Sequence, residues 1–489
     1  MQQKIKWYNW DKESFEIAQK QNKPLFIFVK YDTCYWCKKM IDEVLLDPKS
    51  ISMLNENFIS IMIDRVEAPD LDKYYQNIYK LLNNAPGGWP LSIFCTPDNI
   101  PFFAGSYIPM ESEQGSVEGM GFEELTQLIN HKVKHNDPKL TENAQEVALF
   151  LNKSPHPTQA THLKEELYKV FVAQARDNYD TRNGGFSKAP KFPHATLLLT
   201  LMSIDTLYDE RSVAPMVQTT LTAMQESALF DTIEGGFFRY AQQQNWSDPY
   251  KEKTLYDNAT LLSLYTQAYT LYNEPSYLQT AKKTADFILD TLQNNHLFYT
   301  AQSMEFDTKE VVFDTHTTIA YSSLMVTALY HLAHYEPKYA TYATQTLQKL
   351  IEIVEQKDIQ TLFLDDFAAL AQALLFGFEA TKDEIYLIKA QHIINKALEL
   401  LYVHGGWKIS TKEIEVYADA TDTISISAVS IMIANMRTLA TILNDEKYNV
   451  FAFKTLEYNS YALAHEPLRY PSLMKEMLLY KSSSSSTAL

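Results

Sequence analysis

The 489-residue chain predicts two domains of different class, an α/β unit followed by an all-α unit. Three observations carry this expectation. Over residues 1–135, short apolar runs rich in β-branched residues alternate with helical segments. Over residues 161–481, apolar positions recur at helical spacing in roughly twelve segments, an even number that suits six hairpins. A Gly-Gly-aromatic corner also recurs there, as Gly184-Gly185-Phe186, Gly235-Gly236-Phe237 and Gly405-Gly406-Trp407.

In the first unit Asp11 can cap a helix running to about residue 21, because its carboxylate can accept from N–H groups that a first turn leaves unpaired. Residues 24–30 form an apolar strand, and residues 38–46 look helical. A second strand spans 58–64, and a helix fits 70–82. The run Gly87-Gly88-Trp89-Pro90 breaks the chain before a third strand at 91–96. The turn Thr96-Pro97-Asp98-Asn99 leads to a fourth strand at 102–104, and a helix at 122–134 closes the unit. This βαβαββα order is that of the thioredoxin fold. In such folds a cis-proline at the start of the third core strand faces the cysteine pair. Trp89-Pro90 occupies that place and is expected to be cis, an isomer essentially confined to prolyl bonds.

The run Tyr31-Asp32-Thr33-Cys34-Tyr35-Trp36-Cys37 carries the chemistry of this unit. A strand that feeds two cysteines into a helix's first turn is the arrangement of a thiol–disulfide centre, because backbone N–H groups and the helix dipole stabilise a thiolate there. Half a zinc site or two inert thiols are the alternatives. Zinc needs two further N or S ligands at close spacing, and the sequence offers no second Cys-x-x-Cys. Cys95, the third cysteine, lies inside an apolar strand and reads as a core residue.

Composition narrows the function classes. A formal charge of −17, without clustered Lys and Arg, argues against nucleic acid as a partner. Three cysteines give no disulfide framework. The start Met1-Gln2-Gln3-Lys4-Ile5-Lys6-Trp7 has no continuous apolar stretch of the signal-peptide kind, and no run long enough to span a membrane occurs. The expectation is a soluble cytoplasmic protein, with no membrane partner, no cofactor and no metal. Only 13 glycines against 31 tyrosines and 25 phenylalanines suggests long packed helices with aromatic-lined concave surfaces.

Residues 136–160 read as a connector, and 482–489 as a low-complexity disordered tail. Between them, helices are expected near 162–178, 194–208, 212–229, 254–272, 275–293, 316–334, 338–355, 364–380, 383–402, 423–442, 445–460 and 468–481. A helix pair cannot bury its apolar faces alone, so repeated pairs must stack or close. Varied loop lengths and the repeated corner, Asp180 to Phe186 and again Asp231 to Phe237, favour a closed six-hairpin (α/α)6 toroid.

With these motifs in place, the chain resembles a family: thioredoxin-domain proteins with a C-terminal six-hairpin α/α toroid, including the spermatogenesis-associated thioredoxin-like proteins and bacterial relatives. The matching runs are Lys23-Pro24, Cys34-Tyr35-Trp36-Cys37, Gly87-Gly88-Trp89-Pro90-Leu91, and Phe94 with Thr96-Pro97-Asp98. In the second half they are Lys188-Ala189-Pro190-Lys191-Phe192-Pro193, Gly235-Gly236-Phe237-Phe238-Arg239-Tyr240, and Glu252-Lys253 with Leu255-Tyr256-Asp257-Asn258-Ala259. The resemblance implies the two-domain architecture and attaches no single reaction. The family motif usually reads Cys-His-Trp-Cys-His, and Tyr35 and Lys38 replace its two histidines. Tyr250 replaces a histidine before Phe-Glu-Lys, and Gln302-Ser303-Met304-Glu305 stands for an acidic Gln-Asp-Ala-Asp loop. Tyr321-Ser322-Ser323 stands for Trp-Asn-Gly, and Thr423-Ile424-Ser425-Ile426 for Pro-Ser-Gly-Asn.

The candidate reacting residues are therefore Cys34 and Cys37, with Pro90 facing them and Trp36 and Trp89 as binding residues. In the toroid, Arg239, Tyr240, Glu252, Tyr256 and Asp257 are the candidate ligand-binding set, with Phe238, Trp246 and Trp407 as further wall. Candidate acids are Glu252, Asp257, Asp365, Asp366 and Asp422, and for each Asp near a helix start an N-cap is the alternative. Three readings stand. The first is a thiol–disulfide protein whose toroid binds a protein thiol client or a carbohydrate-like ligand. The second is a carbohydrate-active enzyme, epimerase- or glycosidase-like, with a vestigial thioredoxin domain. The third is a non-catalytic scaffold.

Overall fold

A computed structural model of the protein describes residues 4–112, 120–135, 137–151, 157, 159–305 and 308–486, apart from the side chains at 141 and 483–486. The chain divides into two compact units, Met1–Pro155 and His156–Leu489.

The first unit runs β1 (Trp7–Tyr8), α1 (Lys12–Gln21), β2 (Leu25–Lys30), α2 (Tyr35–Met40), α3 (Pro48–Asn57), β3 (Ile59–Asp64), α4 (Pro69–Asn83), β4 (Leu91–Cys95), β5 (Pro101–Gly105), α5 (Phe122–Lys134) and α6 (Pro138–Leu151). Its sheet has the order β1-β3-β2-β4-β5. The β1–β3 and β3–β2 pairs are parallel, and β2–β4 and β4–β5 are antiparallel. β2 is apolar almost throughout, because both faces of the sheet are covered. Phe26 and Phe28 point into a core with Met40, Leu54 and Phe122, while α4 packs beside β3, β4 and β5. Asp11 caps α1 by accepting from Ser14 N–H. α2 passes directly into a π-helical turn, Ile41–Leu45.

Two helices lie outside the elements expected from apolar periodicity. α3 begins at Pro48 behind the Asp47 cap, a start signal that apolar runs do not carry. α6 falls in the stretch expected to be a connector, and it buries Ala144 and Val147 at helical spacing while packing on β5.

The second unit begins with α7 (Leu167–Asn178), α8 (Ala195–Tyr208), α9 (Ala214–Glu226), β6 (Glu252–Thr254), α10 (Leu255–Tyr272) and α11 (Pro275–Phe287). It continues with β7 (Gln293–Asn294), β8 (Leu297–Phe298), β9 (Ala301–Met304), β10 (Val311–Asp314), α12 (Ile319–Ala333), α13 (Lys338–Gln356), α14 (Leu364–Thr381) and α15 (Glu384–Leu400). It ends with β11 (Tyr402–Val403), β12 (Gly406–Trp407), α16 (Ala428–Leu443), α17 (Glu446–Tyr458), α18 (Ser460–His465) and α19 (Pro471–Ser486). Helix α19 thus extends into the stretch expected to be a disordered tail, and residues 487–489 lie outside the described ones.

Packing sorts these helices into two rings. α8, α10, α12, α14, α16 and α19 each pack on the next, and α19 packs back on α8, so the inner ring is closed. The Thr200 hydroxyl on α8 donates to Pro471 O at 2.7 Å across that closure. Inner helices are buried on nearly every side: α12 buries each residue from Met325 to Tyr330, and α8 each residue from Leu197 to Met202. Outer helices bury one stripe, as α13 does with Tyr339, Ala343, Leu347 and Leu350.

The two kinds of connection differ. From an inner helix to the next outer one the link is short. Asn273, Lys382 and Asn444 take left-handed φ values of 54°, 59° and 52°, and the adjoining Glu274, Asp383 and Asp445 cap the next helix. From an outer helix to the next inner one, most links are long and carry the small strands and the glycine corners.

In those corners Gly184, Gly235 and Gly405 have φ of +70°, +87° and +100°. The first two are built alike. Asp180 accepts from the N–H groups of Arg182 and Asn183 and from the buried Lys191 ammonium at 2.6 Å. Asp231 accepts from those of Ile233 and Glu234 and from buried Lys253 at 2.9 Å. A Cβ at Gly235 would lie 2.4 Å from Lys283 O, on a φ that L side chains rarely adopt. Gly235→Ala is therefore expected to destabilise the helical unit by about 1–3 kcal/mol. A Cβ at Gly88 meets nothing within 4 Å, so Gly88→Ala serves as the near-neutral control in urea unfolding of the full chain. Equal midpoints for the two variants would contradict the strain argument.

Candidate functional site

Chemistry concentrates in two places, one in each unit. In the first, β2 and β3 run parallel with Lys30 opposite Asp64, so the residues that leave each strand emerge at one edge of the sheet. After β2 come Tyr31 to Cys37, and after β3 comes Arg65, whose N–H donates to Lys30 O at 3.0 Å. Cys34 is the N-cap of α2, and its Sγ accepts from Cys37 N–H at 3.0 Å. The two cysteines form a disulfide with a Cα–Cα distance of 5.1 Å. Cys34 is 4% exposed and Cys37 1%.

The remaining candidates of this unit divide between surface and packing. Trp36 is 48% exposed, with Tyr107 5.1 Å away and the Lys39 ammonium 5.3 Å over its ring. Trp89 instead packs on the buried cluster of Tyr31, Cys34 and Cys37, edge-on to Tyr31 at 5.9 Å. Its indole N–H donates to Asp72 Oδ1 at 2.9 Å. The Trp89–Pro90 bond is cis, as expected. Cys95 is fully buried in β4, and burial pushes its thiol well up, which fits a core residue.

In the helical unit, the candidate binding set gathers around β6 and the start of α10. The Arg239 guanidinium donates to Glu252 Oε2 at 2.8 Å, and Glu252 is completely buried. Tyr240 stacks on Tyr250 at 5.0 Å and packs on Phe192 at 4.8 Å. Tyr256 is buried against Tyr321 at 5.1 Å. Asp257 closes the cap of α10: its Oδ2 accepts from the Thr254 hydroxyl at 2.6 Å, and Thr254 accepts from its N–H. Arg239 with Glu252 and Tyr240 with Tyr250 thus form adjoining pairs, while Tyr256 and Asp257 serve the helix start.

One expectation is corrected. Trp246 and Trp407, expected to line a binding wall, are core residues at 1% and 0% exposure, and their indole N–H groups are taken by Asn183 O and the Thr455 hydroxyl. Of the candidate acids, Asp366 caps α14 and also accepts from Ala320 N–H, and Asp422 accepts from the N–H groups of Ser427 and Ser472. Capping of backbone N–H groups is the observed role for both.

Arg65 and Asp72 are not among the candidates that the motifs supply. The Arg65 guanidinium lies 4.1 Å over the Trp89 ring and 4.7 Å over Tyr31. A signal existed: Arg65 leaves a strand parallel to the one that delivers the cysteines, so equal strand lengths bring both to the same edge.

Residues 1–152 match the family described as Thioredox_DsbH, protein of unknown function, DUF255. The chain is similar to mouse spermatogenesis-associated protein 20, 33% identical over 314 residues that cover 62% of this chain and 39% of the mouse protein. The human counterpart is 32% identical over 315 residues, again 62% of this chain and 39% of that protein. The chain thus spans well under half the length of these relatives. The helical unit has the six-hairpin toroid fold. Its likenesses include a sugar epimerase from a ruminal bacterium (TM-score 0.53, 11% identity, 64% of this chain and 97% of that one). They also include the cellobiose 2-epimerase of Bacillus thermoamylovorans (0.52, 13%, 64% and 97%) and a GH76 α-mannanase of Bacteroides thetaiotaomicron (0.51, 13%, 67% and 97%). At these identities the likeness is one of fold. No helix among the described residues is long and apolar enough to cross a membrane.

The remaining candidate acid is Asp365, in the first turn of α14. Burial first, and the neighbouring Asp366 second, push the Asp365 carboxyl up to about 6. An unfolded carboxyl of this type titrates near 3.9, so between about pH 4 and pH 6 the folded chain keeps a proton that the unfolded chain has lost. The contribution of Asp365 to stability therefore falls as pH rises through that window. Asp365→Asn is expected to flatten this part of the decline, read as the difference in urea unfolding free energy between wild type and variant across the same pH range. A pH-independent difference would contradict the assignment.

Proposed function

We propose that this chain is a thiol–disulfide exchange protein, with Cys34 and Cys37 as its reacting pair and the helical ring as a binding surface for a protein thiol client or a carbohydrate-like ligand. The observation that carries this reading is the capped disulfide. The Cys34 sulfur occupies a helix N-cap, where the Cys37 N–H at 3.0 Å and the start of α2 favour negative charge on it.

The exchange step uses that charge. A client thiolate attacks Cys34 Sγ, a client–Cys34 disulfide forms, and the Cys34–Cys37 bond breaks with its electron pair on Cys37. A second client thiolate attacks the client sulfur of the mixed disulfide and displaces Cys34 as the thiolate. The client leaves as a disulfide, having given up two electrons, and the protein holds them as the dithiol. The reverse sequence reduces a client disulfide and restores Cys34–Cys37.

For the ring, binding without sugar turnover is the reading that the residues support. Tyr250 and Ser303 stand where the family resemblance leads one to expect a histidine and a carboxylate. Glu252 is held by Arg239, and Asp257, Asp366 and Asp422 are engaged in caps.

In the reduced chain, Cys34 is expected to react with iodoacetamide roughly tenfold faster than Cys37 or Cys95 near neutral pH. A Cys37→Ser variant should accumulate mixed disulfides through Cys34, identified by mass spectrometry. Equally slow alkylation of all three cysteines would remove the exchange reading and favour a scaffold.

A further inference from the structure

Beside the disulfide, three side chains from three different elements are locked together. Asp72, on the first turn of α4, is 6% exposed and takes the Trp89 indole N–H at 2.9 Å. Arg65, 7% exposed and just beyond β3, lays its guanidinium over Trp89 at 4.1 Å and over Tyr31 at 4.7 Å. Both rings adjoin the cysteines, since Tyr31 shares a buried cluster with Cys34 and Cys37 and Trp89 packs on that cluster. Trp89 is thus held at its N–H edge by an acceptor and on a face by a cation, and the guanidinium stacks on two rings that pack with the cysteines.

Each part has a physical consequence. Burial pushes the Asp72 carboxyl up, against the opposing pull of Arg65 and of the indole hydrogen bond. What Trp89 requires of this residue is an oxygen acceptor at Oδ1, which a neutral side chain of the same shape also offers. Arg65 stays charged at any working pH. A fixed cation favours the reduced pair over the oxidised one, because only the reduced pair can carry a thiolate. Positions 35 and 38, where the family resemblance leads one to expect imidazoles, hold Tyr35 and Lys38.

We propose that Asp72 and Arg65 are positioning residues of the disulfide centre. Asp72 orients the Trp89 indole against the cysteines. Arg65, stacked on Trp89 and Tyr31, holds beside them a positive charge that biases the pair toward its reduced state. The inference rests on the exchange reading, and it names how the structure sets the redox equilibrium of that site.

The test equilibrates the full chain with glutathione buffers of graded composition. It reads the oxidised fraction by alkylation and mass, and tryptophan fluorescence at each point. Arg65→Gln is expected to shift the equilibrium toward the disulfide by about threefold to tenfold, and Arg65→Lys by less. Trp89→Phe identifies the part of the reduction-linked fluorescence change that belongs to Trp89. Asp72→Leu is expected to abolish that part, and Asp72→Asn, which keeps the acceptor, to retain it. An unchanged equilibrium in folded Arg65→Gln, or an intact Trp89 signal in Asp72→Leu, overturns the proposal. So does loss of the signal in a folded Asp72→Asn, which decides the matter if Asp72→Leu does not fold. A wild-type disulfide that glutathione never opens counts instead against the exchange reading. Phosphine reduction of the same variants then still reads the Trp89 signal, so the two failures are told apart.

Discussion

Six helices buried on most of their sides cannot each face water, and this constraint organises the larger unit. α8, α10, α12, α14, α16 and α19 are apolar around most of their circumference, so each needs neighbours on both flanks and cover behind. A row of such helices would leave its two ends bare. Closing α19 onto α8 removes both ends at once, and the outer helices, with one apolar stripe each, supply the cover. The short links, the left-handed caps and the glycine corners are then the ways to turn the chain between two concentric rings.

A second constraint, register, governs the smaller unit. Because β2 and β3 run parallel with Lys30 opposite Asp64, the segments leaving the two strands must emerge at the same edge. Cys34 comes from one strand and Arg65 from the other, and Trp89 arrives from the segment leading into β4. None of these residues is near another in sequence, yet the sheet places them in a single cluster with Tyr31. The chemistry of the cysteines therefore depends on groups that lie outside the Cys-x-x-Cys segment.

This difference explains what the sequence could reveal. Strands β2, β3 and β4 stood out because each is a largely uninterrupted apolar run, which only a doubly covered sheet requires. The inner helices stood out for the same reason, and the glycine corners because a left-handed φ leaves a residue signature. Helix α3 was missed because its start is announced by Asp47-Pro48 and not by apolar content. α6 was missed because its polar flanks resemble a linker. Around the candidate site, the Cys34–Cys37 pair and the cis Trp89–Pro90 bond were legible from spacing and turn chemistry. Trp246 and Trp407 were misjudged because an aromatic ring in a loop-rich segment gives no sign of which way it turns. Arg65 and Asp72 needed the three-dimensional pairing of strands before they could be associated with the cysteines.

The two rims of the ring are unequal, and this affects how such a protein can change. At the rim where inner helices end, Asn273-Glu274, Lys382-Asp383 and Asn444-Asp445 complete the turn in two residues, one left-handed and the next a cap. An inserted residue there would separate the two roles and displace a whole helix. At the opposite rim, the stretches from Ser227 to Thr254 and from Leu401 to Ser427 carry small strands and corners. Exposed positions there, such as Asn245 and Glu413, can change while the buried Trp246 and Trp407 keep these stretches anchored to the ring. One rim of the scaffold is thus conservative by construction and the other is its evolvable surface, where a lineage can acquire a new recognition without refolding the ring.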